Sequence, residues 1–336
     1  MIIEATAPTR IDLAGGTLDI HPLYLLEDGV WTINVAVDVP VSVRIEPRRR
    51  GVSITSIDLG RRAHAPSSDS LPLGGPLDLA ARAVRASRPR GGLAITLNSA
   101  APPGSGLGAS SALLVTLLAA LDRWNGARRG RGDLVMAAWR IEAQSLRTLT
   151  GRQDYLAPLW GGGNAIHFGL DGDRVEPLLS NPAHRRALQD RLVVAYTGVS
   201  HASGQTNWGV IRRYLDGRPG TVRSLRGIAD VARRTRAALR AGRIDDLSDL
   251  VAEEWAFRRR LAHGVSTPVV ERAIAVGRRH GAIAGKACGA GGGGSVLLLV
   301  RPGAKSSCEA GLAASGFRVL SSTIVARGLR VSTVPS

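Results

Sequence analysis

The run Pro102-Pro103-Gly104-Ser105-Gly106-Leu107-Gly108-Ala109-Ser110-Ser111-Ala112 decides how the rest of this chain is read. It follows a short β-like run, Leu93 to Leu97, and leads into an unbroken apolar helix pattern from Ala112 to Trp124. A glycine-rich turn feeding a helix N-terminus is a phosphate site for two reasons. Glycine lets the backbone approach an anion and adopt positive φ, and the free N–H groups of the first helical turn point at it. Ser110 and Ser111 stand where a hydroxyl either caps the helix or reaches a phosphate-bound magnesium ion. No lysine follows the last glycine, so the pattern is not a Walker loop, and the spacing is not G-x-G-x-x-G. The plain alternative is a glycine-rich connection closed by a serine N-cap.

Outward from that run, the whole chain bounds what such a site serves. At 336 residues it can bury a substantial core and suits one large or two medium domains. A hydrophobic content of 44% and a mean hydropathy of +0.03 describe a globular protein with no apolar run long enough to span a bilayer. Residues Met1 to Arg10 lack the basic-then-apolar layout of a signal peptide, so the expected location is cytoplasmic. The two cysteines, Cys288 and Cys308, form neither metal spacing nor disulfide framework. Lysine occurs only at Lys286 and Lys305, so the net charge of +17 is almost wholly arginine and is dispersed along the chain. With aromatics at 4%, a stacking platform for nucleic acid is not expected, whereas a positive field favours anionic small molecules. The partner expected is therefore a small molecule, with no nucleic acid and no membrane; a homodimer stays open.

Ahead of the loop lies Ala7-Pro8-Thr9-Arg10-Ile11-Asp12-Leu13-Ala14-Gly15-Gly16-Thr17-Leu18-Asp19. It reads as a strand broken by Pro8, then a Gly-Gly turn that brings Asp19 back near the strand end. An arginine and an aspartate across such a turn suit either a polar ligand or a structural ion pair. Trp31 to Glu46 reads as a hairpin turning near Asp38-Val39-Pro40, Val52 to Ile57 as a strand, and Arg61 to Pro76 as a loop. Beyond the loop, Leu134 to Thr150 has helical periodicity and carries Glu142. Gly151-Arg152-Gln153-Asp154 then opens another helical turn, for which a capping role is the plain alternative. Leu192 to Tyr196 is a strand that begins the second half. The polar turn Thr197 to Trp208 makes His201 and Asn207 candidate substrate contacts. Three helix patterns follow from Thr221 to His280, in which Trp255, Arg258 and Leu261 share a face that reads as core and rim. Gly285 to Ser295 is so rich in glycine that its backbone must approach something closely.

The spelling P-P-G-S-G-L-G-A-S-S-A resembles the ATP loop of the galactokinase, homoserine kinase, mevalonate kinase and phosphomevalonate kinase superfamily, the GHMP kinases. The other segments resemble the family's remaining motifs in the right order. The resemblance implies a two-domain α+β fold: a ribosomal-protein-S5-like ATP-binding domain over 1–191 and a ferredoxin-like C-terminal domain over 192–336. It implies ATP and Mg2+ as cofactors, with Pro103, Gly104, Ser105, Gly106, Leu107, Gly108, Ala109, Ser110 and Ser111 around the phosphates. Ser110 and Glu142 match the magnesium positions, and Asp154 and Arg10 the catalytic ones. Asp19, Gly16, Thr17, Gly291 and Gly292 match the substrate wall. Gly16-Thr17 replaces the Glu-His of galactokinases, which turns the reading from galactose toward heptose-7-phosphate kinases and fucokinases. The expected activity is ATP-dependent phosphorylation of a sugar or sugar-phosphate hydroxyl. A mevalonate-type kinase and a non-catalytic sensor of the same fold are the alternatives.

Overall fold

The computed structural model describes residues 1–200 and 203–335, without the side chains of 203–206. In chain order it runs β1 (Ile2–Ala14), α1 (Leu23–Leu26), β2 (Trp31–Arg48), β3 (Val52–Ser56), β4 (Arg61–Ala65), α2 (Asp78–Ser87) and β5 (Gly92–Ser99). Then come α3 (Ala109–Trp124), α4 (Arg131–Leu146), α5 (Gln153–Trp160), β6 (Gly163–Gly169), β7 (Gly172–Pro177) and α6 (Pro182–Gln189). The second half holds β8 (Leu192–Tyr196), α7 (Ser203–Leu215), α8 (Pro219–Arg240), α9 (Leu247–Arg258), α10 (Pro268–Arg279), β9 (Ala282–Ala287) and β10 (Ser295–Val300). It closes with α11 (Lys305–Ala314), β11 (Arg318–Leu320) and β12 (Arg330–Val334).

The first sheet has the order β12-β1-β2-β5-β3-β4, with β6 on the other part of long β2 and β7 on β6. The second sheet, β11-β8-β10-β9, is antiparallel throughout. Counted along the chain its strands lie in the order four-one-three-two, with helices after the first and third, which is the ferredoxin-like βαββαβ arrangement. The mixed two-sheet fold is the α+β architecture expected. The chain does not stay in the second sheet: Ile324 bridges Val37, and β12 pairs antiparallel with β1.

Helix α3 is the spine of the first half. It is apolar on almost every side, and a helix of that kind has to be covered all round. Leu114, Val115, Leu117, Leu118 and Leu121 are all buried, and the helix packs on β1, β2, α2, α4 and α5. This fixes its N-terminal end at the cleft between the two sheets.

Four local expectations are corrected. Pro8 does not break β1, and Asp38-Val39-Pro40 is not a hairpin turn. Both segments meet at one irregularity, where pairing jumps from Ala7↔Val41 to Thr9↔Val37 and the two prolines lose no ladder bond they could have donated. The bulge is held by Thr9 Oγ1 donating to the Val39 carbonyl at 2.9 Å and by Ala100 N–H donating to the Pro40 carbonyl at 2.9 Å. Residues 61–65 are not loop but the edge strand β4, whose arginines give the charged edge that discourages strand addition. The polar stretch after β8 is only partly a turn, since α7 starts at Ser203. His201 lies outside the described residues.

Candidate active site

The loop 102–108 joins β5 to α3 and is held from both halves of the molecule. Arg10 donates from its backbone N–H to the Leu107 carbonyl at 3.1 Å and from Nη1 to the Gly106 carbonyl at 2.6 Å. From the second sheet, Ser295 N–H donates to the Ser105 carbonyl at 2.7 Å. Gly108 is the N-cap of α3 with φ 69°, and a Cβ there would sit 3.1 Å from Asp154 Cγ. Gly106, at φ 76°, leaves a Cβ no room against the Cys288 carbonyl at 2.7 Å. No side chain caps α3. The serine N-cap alternative therefore fails, and the first N–H groups of the helix are left for an anion. Pro103, Gly104, Ser105, Gly106, Gly108, Ala109, Ser110 and Ser111 all line a cleft of about 1280 Å³. Leu107 does not; its side chain is in the core.

The two serines turn instead to Glu142 on α4. Ser110 Oγ donates to Glu142 Oε1 at 2.8 Å and Ser111 Oγ to Oε2 at 2.7 Å, and the Tyr155 hydroxyl also donates to Oε2. Burial pushes the Glu142 carboxyl above its ordinary value, against the lowering effect of the hydrogen bonds from Tyr155, Ser111 and Ser110. A buried carboxylate beside an exposed serine hydroxyl is an oxygen donor set of the kind a hard divalent cation accepts.

Next along the cleft, Arg10 Nε donates to Asp154 Oδ1 at 2.6 Å. Burial opposes the guanidinium charge, but Asp154 and Asp12 more than offset it and its pKa lies above the ordinary value. Asp154 sits at the start of α5, next to Gly108. Beyond it stands Asp19, whose Oδ2 accepts from Gln153 N–H at 3.1 Å. Burial, reinforced by Asp154, pushes the Asp19 carboxyl up to about 6. The polypeptide is bare of side chain where it touches Asp19, because a Cβ on Gly151 would collide with that carboxylate.

Gly16 and Thr17 line the same end of the cleft, as does Gly291. Gly292 is set behind the wall, donating its N–H to the Val265 carbonyl at 2.9 Å. Asn207 and the half-exposed Trp208 reach the cleft from α7. Burial raises the Cys288 thiol to about 12, which leaves it inert.

Sequence reading missed a group directly under this wall. Arg258, taken as part of a core-and-rim face, is only 1% exposed and points at the turn after β1. Its Nη2 donates to the Gly16 carbonyl at 2.9 Å and its Nη1 to Thr17 Oγ1 at 3.2 Å. Glu254 holds its Nε at 2.7 Å, and Lys286 Nζ lies 3.0 Å from Glu254 Oε2 and 3.1 Å from Asp12 Oδ2. Burial alone would raise the Asp12 carboxyl; Lys286, Arg258 and Arg10 together hold it below its ordinary value. Two signals could have found the group: a Glu254–Arg258 pair one helical turn apart within an apolar helix, and a lysine in a chain that has only two.

A helix N-terminus open to anions at one end of a cleft, followed by an arginine–carboxylate pair and a second buried carboxylate, is the layout of a phosphoryl-transfer enzyme. The chain belongs to the GHMP kinases. The family's N-terminal domain matches over residues 77–162 and its C-terminal domain over 235–316. It is similar to D-glycero-alpha-D-manno-heptose 7-phosphate kinase of Campylobacter jejuni, with 27% identity over 314 residues, 89% of this chain and 90% of that one. It is also similar to the bifunctional fucokinase/GDP-fucose pyrophosphorylase of Arabidopsis thaliana, with 27% identity over 321 residues. That match takes 89% of this chain but only 30% of the plant protein. The crystal structure of a D-glycero-D-manno-heptose 1-phosphate kinase from Bacteroides thetaiotaomicron superposes with a TM-score of 0.81 at 24% identity, covering 99% of this chain and 100% of the other. That likeness speaks for the fold.

Proposed function

We propose that the protein transfers the γ-phosphoryl group of ATP to a hydroxyl of a sugar or sugar phosphate, the anomeric hydroxyl by preference. The observation that carries this reading is the position of Asp154. It lies against the anion-binding end of α3, paired with Arg10 on one side and neighboured by Asp19 on the other. The sugar class rests on the relatives, since heptose-phosphate kinase and fucokinase are what the chain is similar to over 89% of its length.

In this reading the loop from Pro103 to Ser111 holds the phosphates through glycine backbone and the free N–H groups of α3. Asp19 accepts a hydrogen bond from a sugar hydroxyl and fixes the acceptor. Asp154 aligns the attacking hydroxyl and takes its proton as the oxygen–phosphorus bond forms and the bond to ADP breaks. Arg10 holds Asp154 through its Nε and faces the charge that gathers on the transferred group. Ser110 and Glu142 are the residues that would hold Mg2+, whose part when bound is to neutralise phosphate charge. The named residues all come from one chain, so the site does not require a homodimer. Functionally the units are 1–191 with the returning tail from 323, and 192–322. A cytoplasmic location belongs to the same reading.

ADP release measured over a panel of sugars, sugar phosphates and mevalonate tests it. Turnover with fucose-like or heptose-like acceptors is expected, and turnover with mevalonate alone would contradict it. In the same assay Glu142→Gln and Ser110→Ala should each raise the magnesium concentration needed for half-maximal rate. Unchanged magnesium dependence in both would remove them from the metal site.

A further inference from the structure

Thr17 is held in the left-handed region at φ 76°. The other non-glycine residues of that kind among the described residues, Arg88 and Arg147, are helix C-caps, where the conformation is common. Thr17 is β-branched and lies inside a turn, where the conformation is strained. Something must over-determine it. Within the turn, Leu18 N–H donates to the Gly15 carbonyl at 3.2 Å and Ile20 N–H to the Thr17 carbonyl at 3.2 Å. The end of the turn is tied to α5's approach by the Ile20–Gly151 bridge and by Gln153 N–H on Asp19, whereas the hold on Gly16 and Thr17 comes from the other half of the molecule, through the Arg258 fork on the Gly16 carbonyl and Thr17 Oγ1. The same guanidinium lies 3.5 Å from the Gly289 carbonyl, so it joins the turn to the glycine-rich loop across the cleft.

The fork is itself aimed by charge. Glu254 binds Nε, Asp12 Oδ2 lies 3.4 Å from Nη2, and Lys286 bridges the two carboxylates. All four side chains are at most 1% exposed. A buried ion cluster of this kind is a poor source of net stability compared with apolar packing of the same volume, whereas it fixes geometry tightly. What it fixes here is a turn whose next-but-one residue is Asp19.

We propose that Arg258 is a positioning residue for the acceptor: it locks Gly16–Thr17 in the strained turn that aims Asp19 at the sugar. The proposal rests on the reading of Asp19 as the acceptor-binding carboxylate. Arg258→Lys keeps the charge of the cluster, but a compact ammonium cannot span both acceptors as a planar fork does. It should raise KM for the sugar by about tenfold or more while KM for ATP moves less than about twofold, a split expected when only the acceptor is misplaced. A merely structural role would instead lower the melting temperature and shift both KM values together.

The rescue is specific. Glycine adopts φ 76° unaided, so Thr17→Gly added to Arg258→Lys should recover a large part of the lost sugar KM. Should Arg258→Lys fail to fold, the comparison of Thr17→Val with Thr17→Gly carries the same test. Valine loses the hydroxyl bond and keeps the strain, so it should raise sugar KM more than glycine does. A folded Arg258→Lys enzyme with unaltered sugar KM, or equal effects of Thr17→Val and Thr17→Gly, overturns the proposal. Asp19→Asn separates the two levels. If it leaves sugar KM unchanged, the acceptor reading falls and this proposal with it. If it raises sugar KM while Arg258→Lys does not, only the positioning role falls.

Discussion

Asp154 and Asp19 face the same space with opposite neighbours, and the proposed function gives them different work. Asp154 is bonded to a guanidinium; Asp19 receives one backbone N–H and feels Asp154 as a like charge. Asp154→Asn keeps the shape and removes the proton acceptor, so kcat should fall by about a hundredfold or more with sugar and ATP KM retained, as positioned acid–base groups behave. Circular dichroism should accompany the kinetics, because Arg10 loses its partner; a folded variant with wild-type kcat leaves Asp154 a structural ion-pair partner of Arg10. For Asp19 the consequence is a pH dependence. Its folded pKa of about 6 lies above the ordinary 3.8, so the folded state binds this proton more tightly than the unfolded state does. The contribution to stability is intact below the ordinary pKa and is lost as pH rises through about 6, a change of up to about 3 kcal/mol. The groups that set it are burial, Asp154 and Asp12 against Gln153 N–H and Arg10. Asp19→Asn should therefore raise the melting temperature at pH 8 and hardly change it at pH 4, while raising sugar KM. Equal melting shifts at both pH values would contradict this.

Among the elements, the junction of the loop with α3 makes the sharpest demand on sequence. Gly108 combines positive φ with a Cβ position 3.1 Å from Asp154 Cγ, so Gly108→Val strains the backbone and presses on the Asp154 carboxylate at once. Calorimetry should show ATP affinity reduced by about tenfold or more in a folded Gly108→Val protein, since a β-branched residue is least tolerant there. Near-normal affinity would make the loop a mere connection. This junction was legible because glycine spacing and an apolar helix pattern are local signals. The helix that carries Glu142 was legible from its periodicity, whereas Asp154 stood only in a Gly-x-x-Asp turn whose role came from the resemblance. The hairpin assigned at Asp38–Pro40 was not, since proline marks a turn and a bulge alike, and only the pairing of β1 with β2 separates them. Strand β4 was hidden by arginines that an edge strand tolerates. Arg258 was hidden for a different reason: periodicity reports which face is inward, but not that an inward arginine meets Gly16, Thr17 and the Asp12 carboxylate from a distant segment.

At the scale of the molecule, the cleft is a joint product of two sheets. The first sheet supplies Arg10, Asp12, Asp19 and the loop; the second half supplies Ser295 on the loop backbone and, through α9 and β9, the Glu254, Arg258 and Lys286 that meet Asp12 under the turn. The tail that pairs β12 with β1 ties the last residues back to the first strand. Many arginines close exposed ion pairs, such as Arg234 with Glu253 and Arg226 with Glu27, and pairs of that kind contribute little individually. No helix among the described residues is long and apolar enough to cross a membrane. The most direct measurement is phosphorus NMR of the product formed from ATP, Mg2+ and a fucose-like or heptose-like sugar by the wild-type chain and by Asp154→Asn. The account predicts a sugar phosphate signal coupled to the anomeric proton with the wild type, growing in step with ADP, and almost none with the variant. ATP consumed to inorganic phosphate without any sugar phosphate, or the same product at the same rate from Asp154→Asn, would contradict it.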